Sequence, residues 1–268
     1  MYRASYSEKG RGIMAKYNVH AGHCPQDQGA YGAVGLLKES VENRIVKDEV
    51  IRLLKAQGHT VYDCTCSENT TQDGCLSKIV KKCNAHKVDL DISIHLNSGH
   101  NDYQGDGSIG GVEVWNYSEE TAEVSGRICS KITKALGIQN RGTKYDQSLY
   151  VLKYTKSPAL LIECCFVDDK DDADKWEPKV CAKAIVEGIL NKALSNTIAS
   201  NPIETNKVPY LAKITANTLN VRNGAGTKYK INKQVKYGDV YTIVEEKNGW
   251  GKLKSGVDWI RLDHTSKI

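Results

Sequence analysis

Between residues 17 and 194 short apolar runs alternate with longer stretches of helical periodicity, and this alternation restricts the fold more than any other feature. Strand-like runs fall at 17–19, 59–64, 89–95, 111–116 and 159–165. Helical patterns fall at 38–57, 72–85, 119–136 and 180–194. In the first helix Val46, Val50, Leu53 and Leu54 share one face, and Gly58 closes it. In the run 89–95, Leu90, Ile92 and Ile94 face one way while Asp91, Ser93 and His95 face the other. Strands and helices of these lengths predict an α/β fold, a mostly parallel central sheet flanked by helices. Functional groups are then expected beyond the carboxyl ends of the strands, just after Val19, Ile94 and Ile162.

The pattern stops near residue 194. Residues 195–209 are rich in Ser, Asn, Thr and Pro without periodicity, and read as a linker. From 210 to 268 short β-rich runs separated by turn signals predict a small all-β barrel. Charge divides the same way. From Val208 onward 9 Lys and 2 Arg stand against 5 Asp and Glu, a net +6, while the rest carries 26 basic and 27 acidic residues. The basic tail points either to a polyanionic partner, nucleic acid or an anionic polymer, or simply to a solvated lysine-rich surface.

With 40% hydrophobic and 26% charged residues, the chain of 268 is neither disordered nor a membrane protein by composition. No apolar run reaches the roughly 18 residues that would span a bilayer, so no membrane insertion is expected. Residues 1–13 lack the apolar core of a secretory signal and read as a non-native or upstream extension, with Met14 as the natural start. The nine cysteines are odd in number and contain no Cys-x-x-Cys pair, which argues against a disulfide framework and a zinc knuckle. Reduced thiols and synthesis in a cytoplasm are expected.

Chemistry concentrates at the strand ends. His23 follows the first strand in HAGH (20–23), Glu39 opens the first long helix, and His95 ends DISIH. Two imidazoles and one carboxylate make a zinc site that leaves a fourth position for water. At about 100° per residue Glu39 lies near the centre of the apolar helix stripe, while Glu42 is rotated away. Asn43, one turn later on that face, would support the ligands. Glu163 lies inside the apolar run PALLIECCF (158–166), where a carboxylate is costly unless paired or functional. Beside a metal it would act as general base and then as acid for a leaving amine. The competing reading is an ion pair with Arg141 or Lys153. Cys164 and Cys165 sit in the same apolar run, where a thiol stays protonated and inert. The polar stretch 97–111 borders the cleft, either as a gate or as a merely flexible loop.

HAGH (20–23), the Glu39 helix, SIHLNS (93–98), GVEVW (111–115), NRGTK (140–144) and LYVLKYTKSPALLIECCFVDD (149–169) together resemble the zinc-dependent N-acetylmuramoyl-L-alanine amidases of the amidase type 3 family. The resemblance spans about 15–194. It implies that His23, Glu39 and His95 hold Zn2+ and that Glu163 is the catalytic glutamate. It implies as substrate the amide between the lactyl group of N-acetylmuramic acid and L-Ala of the peptidoglycan stem peptide. Asn97 and Arg141 are then expected on the substrate side, and His20 either there or behind the ligands as a supporting residue. His20 stands where the family more often has Asp or Asn, Cys24-Pro25 where Gly-Gly is usual, and the Cys-Cys after Glu163 replaces a pair of small residues.

The tail resembles a bacterial SH3 (SH3b) domain through LNVRNGAGTKYKI (219–231), YGDVYTI (237–243), NGWGKLKSG (248–256) and DWIRLD (258–263). The resemblance implies wall binding, with Tyr237, Trp250 and Trp259 as groove candidates, although a tryptophan there is equally a core residue. The whole resembles an endolysin or autolysin. Expected partners are peptidoglycan and its associated polymers rather than nucleic acid. The absence of a signal peptide leads to the expectation of a phage-type enzyme that reaches the wall through a separately made pore. A zinc peptidase acting within the stem peptide and a non-catalytic wall-binding protein remain as alternatives.

Overall fold

The computed structural model describes residues 14–25, 29–108, 110–194, 208–214, 216, 218–226, 229–247 and 249–267. The extension expected at 1–13 and all but the last two residues of the expected linker lie outside them. The chain divides into two compact units, Met1–Leu194 and Ser195–Ile268.

In the first unit the elements run β1 (Lys16–Ala21), α1 (Glu39–Ala56), β2 (Thr60–Asp63), α2 (Gln72–Asn84), β3 (Leu90–Asn97), β4 (Val112–Asn116), α3 (Ala122–Leu136), β5 (Asn140–Tyr145), α4 (Tyr150–Tyr154), β6 (Ala159–Phe166), α5 (Lys170–Lys175) and α6 (Pro178–Leu190). The strands form one sheet in the order β2-β1-β3-β6-β4-β5. Every neighbouring pair is parallel except β4 against β6. The predicted mostly parallel α/β sheet is therefore the observed one, with a single antiparallel junction.

Side-chain alternation assigns the two faces. Val19, Ile92, Ile94, Leu160 and Ile162 pack with Val46 and Val50 of α1, Ile128 and Ile132 of α3, and Ile185 of α6. Fully burying each such side chain contributes about 1.5–3 kcal/mol. Leu161 and Ala159, on the opposite face, join Ile79 of α2 and Val151 and Leu152 of α4. Thr71 caps α2 by accepting from Gly74 N at 3.2 Å. Gly137, at φ 73°, ends α3 in the left-handed conformation that a glycine adopts without strain.

The face of β1 and β3 that reads as polar is also buried. Asn18, His20, Asp91 and Ser93 are all at most 2% exposed. Asn18 Nδ2 donates to Asp91 Oδ1 at 2.5 Å and to Cys83 O of α2 at 3.0 Å, so α2 covers this polar row. Strand β5 was not foreseen as a strand. It lies at the sheet edge, where polar side chains such as Lys144 and Arg141 are tolerated and the apolar alternation is lost.

The second unit is all β. Strands β7 (Tyr210–Ile214), β8 (Thr218–Arg222), β9 (Ile231–Lys236), β10 (Val240–Lys247), β11 (Trp250–Leu253), β12 (Trp259–Arg261) and β13 (Thr265–Lys267) form one antiparallel sheet ordered β13-β7-β10-β11-β12-β8-β9. Ala212, Ile214, Val221, Ile243, Leu253 and Ile260 fill its core. Trp250 and Trp259 are only 6% and 9% exposed, whereas Tyr237 is 66% exposed. The two tryptophans are thus buried, and of the three groove candidates Tyr237 alone presents a broad surface.

Candidate active site

The loop after β1, the N-terminus of α1 and the end of β3 meet at one point. Glu39 is the first residue of α1 and is 2% exposed. Its Oε1 lies 3.0 Å from His95 Nδ1 and 3.3 Å from His23 Nε2, and it accepts from Leu96 N at 3.2 Å. Its Oε2 accepts from Ala33 N at 2.8 Å. Burial by itself would raise this carboxyl, but the hydrogen bonds from His23 and His95 outweigh it and hold Glu39 well below the usual carboxylate range. Donor atoms of His23, Glu39 and His95 all lie within 4.8 Å of one another, and the two imidazoles meet edge to face at 4.9 Å. The residues singled out at the strand ends are thus brought together.

Two glycines make room for the trio. A Cβ on Gly22 would lie 2.0 Å from His95 Cε1, and one on Gly32 would lie 2.2 Å from Glu39 Oε2. His23 itself has φ 63°, a left-handed conformation that costs a non-glycine residue on the order of 1 kcal/mol. The strain is held by its surroundings. Asn43, fully buried, donates to Gly22 O at 3.2 Å, and Arg44 Nη2 donates to His23 O at 2.9 Å. Asn43 therefore supports the loop that carries His23, as its place on α1 foretold, while Glu42 turns away and accepts from Trp176 Nε1 at 2.9 Å.

Glu163 stands beside His95 in register across β3 and β6. Its Oε2 is sealed from solvent and has no hydrogen-bond partner among the described residues, although part of the residue is exposed. Burial first, and then the charges of Glu39 and Glu113, push its carboxyl well above the ordinary value. The alternative ion pair with Arg141 is not formed. Arg141 Nε donates instead to Glu113 Oε2 at 2.9 Å, and its Nη1 to Gly110 O at 3.3 Å.

Glu113 is the residue that the sequence reading passed over. It is 4% exposed, lies in register with Glu163 on β4, and accepts from Asn97 Nδ2 at 2.9 Å and Trp115 Nε1 at 3.2 Å. Asn97 and Arg141 are thereby both anchored on one carboxylate next to Glu163. Its only sequence signal was a charged residue between Val112 and Val114 in GVEVW, which alternation reads as a solvent-facing position. An open pocket beside the trio is lined by His23, Tyr31, Gly32 and Gln72, of which Tyr31 also went unmarked.

His20 does not reach the cleft. It is 1% exposed, with Nδ1 3.5 Å from Ser93 Oγ, and burial drives its pKa down to about 3. Its burial overturns the substrate-side reading and leaves the supporting one, because the β1 alternation turns His20 into the buried polar row of β1 and β3. Several described residues of the stretch 97–111 are held by carboxylates that follow β6. Asp168 accepts from Gly99 N at 2.8 Å and Asn101 N at 3.2 Å, Asp169 from Gly110 N at 3.0 Å, and Asp172 from Gly111 N at 2.8 Å. All nine cysteines are free and buried, Cys164 and Cys165 included, and burial keeps the Cys165 thiol strongly protonated.

Both units of the chain are similar to known protein families. Residues 18–194 match the N-acetylmuramoyl-L-alanine amidase family, and residues 217–263 match the bacterial SH3 domain family. An uncharacterized Clostridium perfringens protein is 33% identical over 68% of this chain and 54% of its own length. The N-acetylmuramoyl-L-alanine amidase LytC of Bacillus subtilis is 30% identical over 65% of this chain and 34% of its own. Among solved structures, the catalytic domain of an endolysin targeting Clostridia difficile superposes with a TM-score of 0.60 at 32% identity, covering 67% of this chain and 99% of that one. The chain spans about half the length of the first curated relatives it matches. By its match over 18–194, this chain belongs to the N-acetylmuramoyl-L-alanine amidase family, amidase type 3, and carries a bacterial SH3 domain after it.

Proposed function

We propose that this protein hydrolyses the amide between the lactyl group of N-acetylmuramic acid and L-Ala of the peptidoglycan stem peptide. The observation that carries the reading is Glu163, whose Oε2 is sealed from solvent and without a partner among the described residues, standing in register with one member of a His–Glu–His trio. Family membership supplies the reaction class.

The donor set suits zinc. Two imidazoles and a carboxylate converge from three separate segments, and steric room for them is kept by glycines. His23, Glu39 and His95 would hold the ion, which when bound supplies a Lewis acid for the scissile carbonyl and lowers the pKa of water. Glu163 removes the proton of the attacking water and carries it to the departing L-Ala nitrogen. The raised pKa of its carboxyl suits it to keep that proton between the two transfers. Asn97 and Arg141, fixed by Glu113, present an amide and a guanidinium to the acyl and sugar side of the substrate. The basic second unit brings the enzyme to the wall, with Tyr237 as its exposed aromatic contact.

Among the described residues no helix is long and apolar enough to cross a membrane. The site of action proposed is the wall, as for an endolysin released from the cell that makes it. Mass spectrometry of digested peptidoglycan tests the reaction. Free lactyl groups and new N-terminal L-Ala support it, whereas cuts confined to bonds within the peptide would make the protein a peptidase.

A further inference from the structure

Three cysteines from separate segments converge beside the active site without taking part in it. Cys24 follows His23 in the loop after β1, Cys66 lies in the loop after β2, and Cys75 lies in the first turn of α2. They are 0%, 1% and 2% exposed, and their Sγ atoms all lie within 4.8 Å of one another. The other two close cysteine pairings, Cys64 with Cys83 and Cys164 with Cys181, are only twofold.

We propose that Cys24, Cys66 and Cys75 form a second metal site, one that takes a soft, thiophilic cation such as zinc or cadmium. Sulfurs around one zinc at about 2.3 Å stand roughly 3.8 Å apart in a tetrahedral arrangement, so side-chain rotations of well under a turn close the present spacing. Thiolate sulfur selects this class of ion over magnesium or calcium.

The surroundings suit the charge. Each thiol that binds releases its proton to solvent, so three thiolates with a divalent ion leave one net negative charge. Arg44 answers it: its Nη2 donates to Cys66 O at 3.2 Å and to His23 O at 2.9 Å, which holds the guanidinium against this cluster. The N-terminal half of α2 adds its positive end, since Cys75 N still bonds to the capping residue's carbonyl, Thr71 O, at 2.9 Å. The thiols are weak donors: Cys24 Sγ donates to Thr70 O at 3.4 Å and Cys66 Sγ to Glu68 O at 3.8 Å, contacts that bonds to a metal would readily replace. A metal bound here would tie the His23 loop to the β2–α2 loop.

The test is a cadmium titration of the full chain, reduced and stripped of metal, followed by ultraviolet absorbance. The expected result is a thiolate-to-cadmium charge-transfer band that saturates at a single equivalent. Cys66→Ser and Cys75→Ser should each weaken binding more than 10-fold, while Cys64→Ser and Cys164→Ser leave the band intact. His95→Ala should also keep it, which separates this site from the His–Glu–His trio. Absence of the band from the reduced wild-type chain overturns the proposal whether or not any variant folds. A band that survives Cys66→Ser and vanishes in Cys64→Ser overturns it too, by moving the metal to the other pair. Peptide mapping that finds two of the three joined in a disulfide in the freshly isolated protein would make the cluster a redox pair instead.

Discussion

His95 on β3 and Glu163 on β6 are register partners in a parallel pair, and Glu113 on β4 continues the same row. Residues paired in register leave a sheet from the same face, so these strands set a metal-ligand type of residue beside a proton carrier and an anchoring carboxylate. The division of labour proposed above follows from that row.

Replacing His23, Glu39 or His95 by Ala should remove metal and hydrolysis together. Metal affinity should fall by well over 100-fold, because even residues that only support a ligand cost about 10–100-fold. Metal analysis after dialysis, run beside a wall-lysis assay, measures both. Retained metal with lost lysis in Glu39→Ala would remove Glu39 from the ligand set.

Glu113→Ala should lower both stability and activity. It strips Asn97, Trp115 and Arg141 of a buried acceptor, and leaving such donors unpaired costs about 1–3 kcal/mol. Chemical denaturation reads the stability, and steady-state kinetics on soluble wall fragments reads the activity. A variant as stable and as active as the parent would show that the anchoring is incidental.

His20 makes the fold sensitive to acid. Its folded pKa is depressed to about 3 from 6.5, so the neutral ring is favoured in the native state. Its contribution is present above pH 6.5 and is lost as pH falls from 6.5 toward about 3, with a slope approaching about 1.4 kcal/mol per pH unit. His20→Asn should flatten this part of the stability curve in metal-free protein. Equal slopes in the two proteins would assign the acid sensitivity to other groups.

Much of this was legible in the chain. His23 and His95 sit at strand ends and Glu39 on the apolar stripe of α1, so simple periodicity brings them together. Glu163 stood out as a charge in an apolar run. Glu113 did not, because alternation alone cannot say that the opposite face of β4 is also covered. Strand β5 carries its hydrogen bonds in a polar edge sequence with no periodic signal. The cluster of Cys24, Cys66 and Cys75 was hidden because Cys24 is distant in sequence, and because Cys64, the cysteine nearest to Cys66 in the chain, is not part of it.

Removing the chain beyond about residue 196 should leave hydrolysis of soluble wall fragments within about 2-fold of the parent, since every proposed catalytic residue lies before Cys164. Binding to intact walls should weaken, and the lost part should shrink with added salt, because the segment from Val208 carries a net +6 and exposed charges are screened beyond about 8 Å. Co-sedimentation with walls across a salt series measures this. Undiminished sedimentation of the truncated enzyme would give the second unit another task.

The most direct test of the account is Glu163→Gln, assayed for metal content and for cleavage of the lactyl–L-Ala amide in the same preparation. The side chain keeps its size but can no longer accept the proton, so zinc should stay at the parental level while cleavage falls by about 100- to 10,000-fold. Cleavage near the parental rate with zinc in place would contradict the role given to Glu163.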